Sequence, residues 1–202
     1  MARATVALGI ALTLVGTPLI AQNAPAPVRV RGVVERLDGD QLTVRSREGP
    51  RVRIALATNY VVVAVTKAEL AEVKAGSFIG TAARPQADGT LRAQEVLIFP
   101  ESARGTGEGH YPWDLTPDST MTNATVADVV QGVDGSLLRL MPKGREVRVL
   151  VPPDAPIVTL GPGDPSLLVP GAAVFLSASP QGDGSLSAAR ILVGKDGVIP
   201  PM

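Results

Sequence analysis

A short segment near the middle of the chain concentrates most of the residue types that could do chemistry. Residues 104–114 read Arg-Gly-Thr-Gly-Glu-Gly-His-Tyr-Pro-Trp-Asp and contain the only His and the only Trp among 202 residues. The imidazole of His110 and the carboxylates of Glu108 and Asp114 are ligand types that bind divalent metal ions. One imidazole is a weak metal signal, because tight transition-metal sites usually use several imidazoles or thiolates. A ligand or metal pocket is therefore one interpretation of this segment.

The aromatic residues of the same segment support a structural interpretation. Tyr111 and Trp113 would plug and shape a groove between two domains, where they are also candidate contacts to a ligand or partner. The glycines would permit tight backbone turns. The Gly-x-Gly-x-Gly spacing does not predict a phosphate loop, because Pro112 follows it and no helical pattern does. Since a simple tether has no use for Trp, we expect the Gly/Pro-rich connector, residues 100–123, to be ordered.

A second candidate site is a basic face on the first part of the chain. Three pairs of arginines are spaced i, i+2, which points both members of a pair to one side of a strand. If the three strands are neighbours, the six guanidiniums form a platform for an anionic or protein partner. The alternative is a solvated outer sheet face. Nucleic acid is not expected, because residues 28–56 contain no aromatic side chain for base stacking. The six residues are Arg29, Arg31, Arg45, Arg47, Arg51 and Arg53.

Catalysis finds little support in the sequence. The chain has no Cys, its single His lies in a Gly-rich loop, and no Ser lies in a nucleophile-elbow pattern. We therefore predict that the protein is not an enzyme and has no cofactor.

An internal repeat defines the scaffold that must position these residues. One block recurs after 96 residues and another after 95, and the indel falls between Val44 and Val52, where a hairpin turn is expected. Turns tolerate such changes, whereas a slip of one residue inside a strand reverses every side chain. The repeated residues include Val30, Val34 and Gly39, which recur as Val126, Val130 and Gly135, and Gly76, Pro85, Asp88, Gly89 and Leu97, which recur as Gly171, Pro180, Asp183, Gly184 and Leu192.

The first copy predicts three strands, a short helix and two further strands, which is the order of an OB-fold, a five-stranded Greek-key barrel. Its signals are alternation of apolar and polar residues, hairpin turns and one helical segment ended by Gly76. The predicted fold class is all-β, with two tandem OB-like β-barrels that have one short helix each. The strands are expected at 28–34, 42–47, 51–56 (continued or followed by 60–65), 77–83 and 91–99, the turns at 38–40 and 48–50, and a two-turn helix at 67–73.

The second copy is a simplified version of the first. Asp128 replaces Gly32, and the helical segment shrinks to one turn with Asp164 as its cap and Pro165 in its first position. The predicted domains are thus residues 28–99 and 124–194, with the connector between them and a loosely held tail, residues 195–202.

The first 21 residues have the layout of a secretory signal peptide. Arg3 precedes an apolar run of about 16 residues, shorter than the roughly 20 that span a bilayer, and small residues surround Ala21. No later segment is long and apolar enough to cross a membrane. Without Arg3 the chain has 18 basic and 19 acidic groups, which does not suggest a general nucleic-acid or membrane-surface binder. We expect a periplasmic protein without disulfides.

Three motifs together resemble a known group of sequences. Residues 85–93 read Pro-Gln-Ala-Asp-Gly-Thr-Leu-Arg-Ala, residues 107–115 include Gly-Glu-Gly-His-Tyr-Pro-Trp-Asp-Leu, and residues 119–126 read Ser-Thr-Met-Thr-Asn-Ala-Thr-Val. With the signal peptide, they resemble a family of exported proteobacterial proteins of unknown function, whose tandem repeats are similar to periplasmic OB-fold families. The resemblance implies compartment and fold, and it implies no activity and no catalytic residue.

The sequence therefore favours an exported, non-enzymatic binding module of the bacterial cell envelope. Its leading interpretation is docking of an anionic ligand or envelope protein on the six arginines. The alternative is a small-ligand or metal carrier of the periplasm centred on residues 104–114.

Overall fold

The computed structural model describes residues 25–201, which form an all-β structure without a long helix. The predicted signal peptide, residues 1–21, lies outside the described residues. No helix within the described part of the chain has the length and apolar character needed to cross a membrane. Within residues 25–201 the strands are β1 (Val28–Asp38), β2 (Gln41–Ser46), β3 (Arg51–Lys67), β4 (Phe78–Pro85), β5 (Leu91–Ala93), β6 (Val96–Ile98), β7 (Gly109–Pro112), β8 (Thr120–Gly132), β9 (Gly135–Leu140), β10 (Val147–Val151), β11 (Ile157–Pro162), β12 (Ala173–Pro180) and β13 (Leu186–Gly194).

Turn residues set the first two hairpins where the sequence predicted them. Gly39, with φ of 58°, lies between β1 and β2, and Gly49, with φ of 105°, lies between β2 and β3. A positive φ costs glycine little because it has no Cβ. The β-branched run at 60–65 continues β3 instead of forming a separate strand.

Five strands close into a β-barrel, which we call the first ring. β1 pairs antiparallel with β2 and β12, β2 pairs antiparallel with β3, and β12 pairs antiparallel with β13. Parallel pairing of β3 with β13 closes the ring, from Ala55 opposite Ser187 to Val65 opposite Gly194.

Five other strands form a second closed cycle of pairings, the second ring. β8 pairs antiparallel with β4 and β9, β9 pairs antiparallel with β10, and β4 pairs antiparallel with β5. β5 and β10 close the cycle as parallel neighbours, with Leu91 opposite Val149. The two rings therefore share one pattern of pairings.

The strand pairing does not follow the predicted domain boundaries. Each ring takes three strands from one repeat and two from the other, because β4 and β5 pair with strands that follow residue 120, while β12 and β13 pair with β1 and β3. The expectation of one self-contained barrel per repeat is corrected accordingly. β3 explains the crossing: its 17 residues extend about 56 Å at 3.3 Å per residue, which carries the chain past the first ring.

As a result, the second ring is continuous in sequence and the first is not. The strands β4, β5 and β8 to β10 lie between residues 78 and 151, and this stretch separates β3 from β12. The connector follows β4, β5 and β6 and leads into β8, which already includes its last residues, 120–123. The second ring is thus inserted into the first.

An antiparallel ladder between β3 and β11 joins the rings at the centre of the sheet. Val65 lies opposite Leu160, and these residues are 95 positions apart, which is an offset of the repeat itself. The ladder therefore pairs positions of the two copies that correspond in sequence. β11 also pairs in parallel with β6, so the ladder connects strands of both copies.

Each ring has its own apolar core, and a third group of buried residues, the central cluster, lies between them. Phe78 and Phe99 contact each other there, with ring centroids 5.4 Å apart. Full burial of one such side chain contributes about 1.5–3 kcal/mol, so the junction of the rings is a stable hydrophobic contact. The central cluster contains Val63, Val65, Phe78, Leu97, Phe99, Val158, Leu160, Phe175 and Leu192.

The helical predictions have different outcomes in the two repeats. The two-turn helix expected at 67–73 is wrong: only a 3-10 turn, Leu70–Glu72, forms, since β3 extends through Lys67. In the second repeat the expected single turn, Pro165–Leu167, is present, and the Asp164 carboxylate accepts a hydrogen bond from the Ser166 N–H. The described residues contain two further 3-10 turns, Glu101–Ala103 and Pro142–Gly144.

Gly32 allows β1 and β2 to approach where β1 bends. A Cβ built at Gly32 would lie 2.1 Å from the Arg45 carbonyl oxygen, which is a severe overlap with the backbone. The absence of a side chain at Gly32 therefore permits the close pairing of β1 with β2.

The inserted arrangement predicts that fragments will fold according to the rings and not according to the repeats. A fragment of residues 74–156 contains every strand of the second ring, so we expect β-rich circular dichroism and a cooperative thermal transition. A fragment of residues 25–99, the first repeat, lacks the strands that close either ring and is expected to lack such a transition. The opposite result would contradict the pairing described above.

Candidate functional site

The strand register places the six arginines on one face of the first ring. Arg45 lies directly opposite Arg51, and the Arg47 N–H donates to the Arg31 carbonyl across β1 and β2. The i, i+2 spacing then keeps the other members of the pairs on the same side. The sequence thus identified which side chains share a surface.

Acidic side chains within the chain pair with most of this face. Glu35 forms ion pairs with Arg45 and with Arg51, whose Nε lies 2.6 Å from its carboxylate. The hydrogen bond from Arg51 is the main cause of a pKa of Glu35 below its ordinary value, with the charge of Arg45 acting in the same direction. Arg47 pairs with Glu48 at 2.9 Å. The face is therefore an exposed network of paired charges and less basic than its sequence suggests.

Asp114 of the connector pairs with the other two arginines. Its carboxylate lies 2.7 Å from the Arg31 guanidinium and 3.3 Å from that of Arg29. Burial by itself raises the pKa of Asp114, but the hydrogen bond from Arg31 and the charges of both arginines lower it overall. These two ion pairs attach the connector to the first ring.

Trp113 lies beside these ion pairs and packs against the central cluster. The Arg29 guanidinium stacks over the indole, 3.8 Å from its centroid, which is a cation–π contact. The Arg31 guanidinium lies between two aromatic side chains, 5.9 Å from the centroid of Trp113 and 5.3 Å from that of Phe175. Trp113 therefore packs at the junction of the rings.

The rest of the connector is held on the second ring. β7 pairs antiparallel with β8. The amide nitrogen of buried Asn123 donates to the Thr106 carbonyl at 3.1 Å and lies 3.4 Å from the Tyr111 hydroxyl. Tyr111 contacts Trp113 edge-to-face with centroids 6.1 Å apart. The connector is thus an ordered clamp that contacts both rings.

The structure does not assemble the candidate metal ligands into a site. The Glu108 carboxylate accepts from the Lys143 N–H at 3.1 Å, His110 bonds through Nδ1 to the Thr122 hydroxyl at 2.8 Å, and Asp114 holds the two arginines. Among residues 25–201, no group of three His, Cys, Asp or Glu side chains could hold a metal ion. Burial first, and then the charge of Arg145, lowers the pKa of His110, which favours the neutral imidazole near pH 7.

A cleft of about 1060 Å³ opens beside the arginine face. Its size is slightly above the range of small-ligand pockets, which measure roughly 300–1,000 Å³. Arg31 and Arg47 lie on one side of the cleft, and Leu115 comes from the connector. Other walls are formed around Lys67 and by residues 152–157, where the chain passes beyond each ring; we call these two stretches the crossing segments.

Two buried charged residues line this cleft from different rings. Arg31 is 8% exposed on β1 of the first ring, and Glu95 is 5% exposed between β5 and β6. Arg31 is already paired with Asp114. The lining also includes the exposed residues Arg45, Arg47, Lys67, Glu69 and Asp154. The cleft thus combines apolar walls with charges of both signs.

Sequence reasoning found part of this cleft and missed the rest. It identified the arginines and the connector, but not Glu95, the prolines at 152–156 or the tail. A single acidic residue inside a strand motif has no pattern of its own, and the crossing segments become walls only because the repeats exchange strands.

Comparison with known proteins gives no relative for this arrangement. A scan of protein-family models, a search of curated proteins and a search of solved structures each found no match.

Trp113→Ala is expected to destabilise the protein without unfolding it. The indole is partly buried, so the free energy of unfolding should fall by about 2–3 kcal/mol, below the 3–5 kcal/mol typical of a fully buried Trp. Trp113→Phe should keep much of the packing, so its free energy of unfolding should fall by less. Chemical denaturation measures both variants, and an unchanged midpoint for Trp113→Ala would contradict its role at the junction.

Asp114→Asn should change the dependence of stability on pH. A carboxyl whose folded pKa is depressed stabilises the fold above its unfolded pKa, about 3.9, and loses this contribution as the pH falls through the folded pKa. We therefore expect a deficit of about 1 kcal/mol near pH 7, typical of exposed ion pairs, which shrinks toward pH 2. Thermal denaturation from pH 7 to pH 2 tests this, and a deficit that does not change with pH would argue against the ion pairs.

Proposed function

We propose that the protein is an exported, non-enzymatic binding module of the bacterial cell envelope that takes an anionic, partly apolar ligand or partner segment. The cleft beside the arginine face carries this proposal. It is large enough for such a ligand, and its lining joins apolar residues to Arg47 and Lys67 as well as to Glu69, Glu95 and Asp154. Apolar contact would supply affinity, while pairing with Arg47 and Lys67 would orient the charged group of the ligand.

The cleft is a better candidate than the flat arginine face as a whole. Glu35 and Asp114 each pair with two arginines of that face, so a docked anion would have to replace existing ion pairs. Arg47 and Lys67 line the cleft, and their acidic partners are themselves exposed. An incoming anion can share these cations at low cost, since exposed pairs contribute little.

The scaffold we propose is a pair of OB-like barrels that exchange strands. In each ring the third strand is parallel to the fifth, and the first pairs with the second and the fourth. This supports the expected likeness to exported proteins with tandem periplasmic OB-fold-like repeats. The signal-peptide layout of residues 1–21 is the support for a periplasmic location.

Binding of an amphipathic anion can be tested with 8-anilinonaphthalene-1-sulfonate, which combines an apolar body with one sulfonate. We expect saturable fluorescence enhancement with one site per chain, weakened by added salt because the rim charges are exposed. The double reversal Arg47→Glu with Lys67→Glu should weaken binding about tenfold, equivalent to about 1.4 kcal/mol.

The matched control is the double reversal Arg84→Glu with Arg190→Glu. Both residues are exposed on strands and neither lines the cleft, so the net charge changes equally while the cleft is unaltered. We expect this control to bind the dye as the unmodified chain does. Equal loss in the two double variants would mean that net charge governs binding, and the cleft would not be its site.

A further inference from the structure

The two rings share their pattern of pairings but differ in one row of residues on their outer surface. The row, which we call the outer row, holds one residue from each strand of a ring, and each member lies directly opposite the next in the register. In the first ring the outer row is Ser179, Ser187, Ala55, Gln41 and Asp38. In the second ring it is Arg84, Arg92, Leu150, Leu137 and Val130.

The outward direction of the row follows from the core residues beside it. These flanking residues are buried in the cores of the rings, and they include Ala83, Ala93 and Leu138 in the second ring and Ala178, Ala188 and Leu42 in the first. Successive side chains along a strand point to opposite faces of a sheet. The members of both outer rows therefore point away from the cores.

The first ring shows that the barrel itself does not require basic or apolar side chains in this row. Its outer row contains two serines, an alanine, a glutamine and an aspartate, and its strands pair in the same register. A requirement of packing or pairing would apply to both rings alike. The two arginines and two leucines of the second ring are therefore not explained by the fold.

Arg84 and Arg92 place two positive charges directly opposite each other across β4 and β5. Like charges in this position repel each other and destabilise a sheet. Arg84 forms no ion pair within the described part of the chain, and the contact of Arg92 with exposed Asp154 is 3.9 Å long. A carboxylate between the two guanidiniums would relieve the repulsion and accept hydrogen bonds from both.

The other members of the row add apolar area next to the arginines. Leu150 lies opposite both Arg92 and Leu137, and Val130, which is 50% exposed, lies opposite Leu137. The two leucines are half-buried, so they can contact a side chain laid across them but do not project far enough to enter a bilayer. The outside of a closed ring is convex, whereas small ligands bind in concave sites. The geometry therefore favours a segment of a protein as the ligand.

The charges beside the row give it a direction. Asp128 lies two residues before Val130, and it pairs with Arg139, which lies two residues after Leu137. A second carboxylate, that of Glu146, also pairs with Arg139. An acidic side chain of a ligand would thus be attracted to the arginine end of the row and repelled by the carboxylates near its apolar end.

We propose that the outer row of the second ring binds an acidic segment of a partner protein, with a carboxylate between Arg84 and Arg92 and apolar side chains on Leu150 and Leu137. None of these four residues lines the cleft, so this is a second binding surface. Residues i and i+2 of an extended segment share one face and lie about 6.7 Å apart. Strands are about 4.8 Å apart, and outward side chains diverge on a convex surface, so such a segment can follow the row.

The test uses an acetylated and amidated peptide, Ser-Glu-Ser-Leu-Ser-Leu-Ser, whose Glu and Leu side chains share one face of an extended chain. It is titrated into the nitrogen-15-labelled protein and followed by NMR, which detects binding even in the millimolar range. We expect saturable shifts at the amides of the outer row of the second ring and of their neighbours. A matched peptide with Gln in place of Glu should bind about fivefold more weakly, as for the loss of an exposed ion pair.

A double variant, Arg84→Ser with Arg92→Ser, gives the second ring the serines of the first. We expect it to bind the peptide about tenfold more weakly, since two charged partners are lost, and to keep or raise its thermal midpoint, since the repulsion is removed. The matched control, Arg36→Ser with Arg190→Ser, removes the same charge from exposed positions of the first ring and should bind as the unmodified chain does.

The outcomes separate this inference from the proposed function of the cleft. Absence of shifts, or shifts at cleft residues such as Arg47 instead, would overturn the outer row as a binding surface. A lower midpoint with unchanged binding in the double serine variant would make the arginines structural. Binding to phosphatidylglycerol vesicles that the serine variant loses, without binding of the peptide, would overturn the protein segment in favour of a lipid surface. The anilinonaphthalene dye, which needs a concave site, reports on the cleft alone, so either proposal can fail while the other stands.

Discussion

The parallel pairing of β3 with β13 is the constraint on which the rest of the structure depends. It closes the first ring with strands that are more than 100 residues apart in sequence. The whole second ring must then be placed between them, which brings the crossing segments around Lys67 and 152–157 to one side of the arginine face. The cleft is therefore a product of strand exchange and belongs to neither repeat alone.

The connector stabilises the same junction from outside the sheet. Trp113 packs against the central cluster, and the carboxylate of Asp114 reduces the repulsion between Arg29 and Arg31 by pairing with both. The connector lies between strands that pair with the second ring, and its contacts with the arginines hold it against the first ring. It therefore links the inserted second ring to the first. The connector residues that the sequence offered as a candidate binding site thus help to position the two rings, and the cleft lies next to them.

Local features of the fold were predictable because neighbouring residues determine them. The hairpin glycines, the Asp164 cap and the sharing of one face by the arginines all depend on side chains within a few positions. The exchange was not predictable, because the residues that the two copies share, such as Ala83 with Ala178 and Leu91 with Leu186, mark turns and strand positions but not the copy with which a strand pairs. The pairing of Glu35 with Arg45 and Arg51 requires the register of the strands, since the three residues lie on three neighbouring strands.

The inserted order of the strands has a consequence for synthesis of the chain. The second ring is complete once residue 151 has emerged, whereas β1, β2 and β3 wait for β12 and β13. During this interval the first three strands present open edges, which readily pair with other chains. The synthesis of β12 and β13 therefore determines how long the edges of β1 and β3 stay open, and a chain interrupted before β12 retains a complete second ring attached to an incomplete first ring.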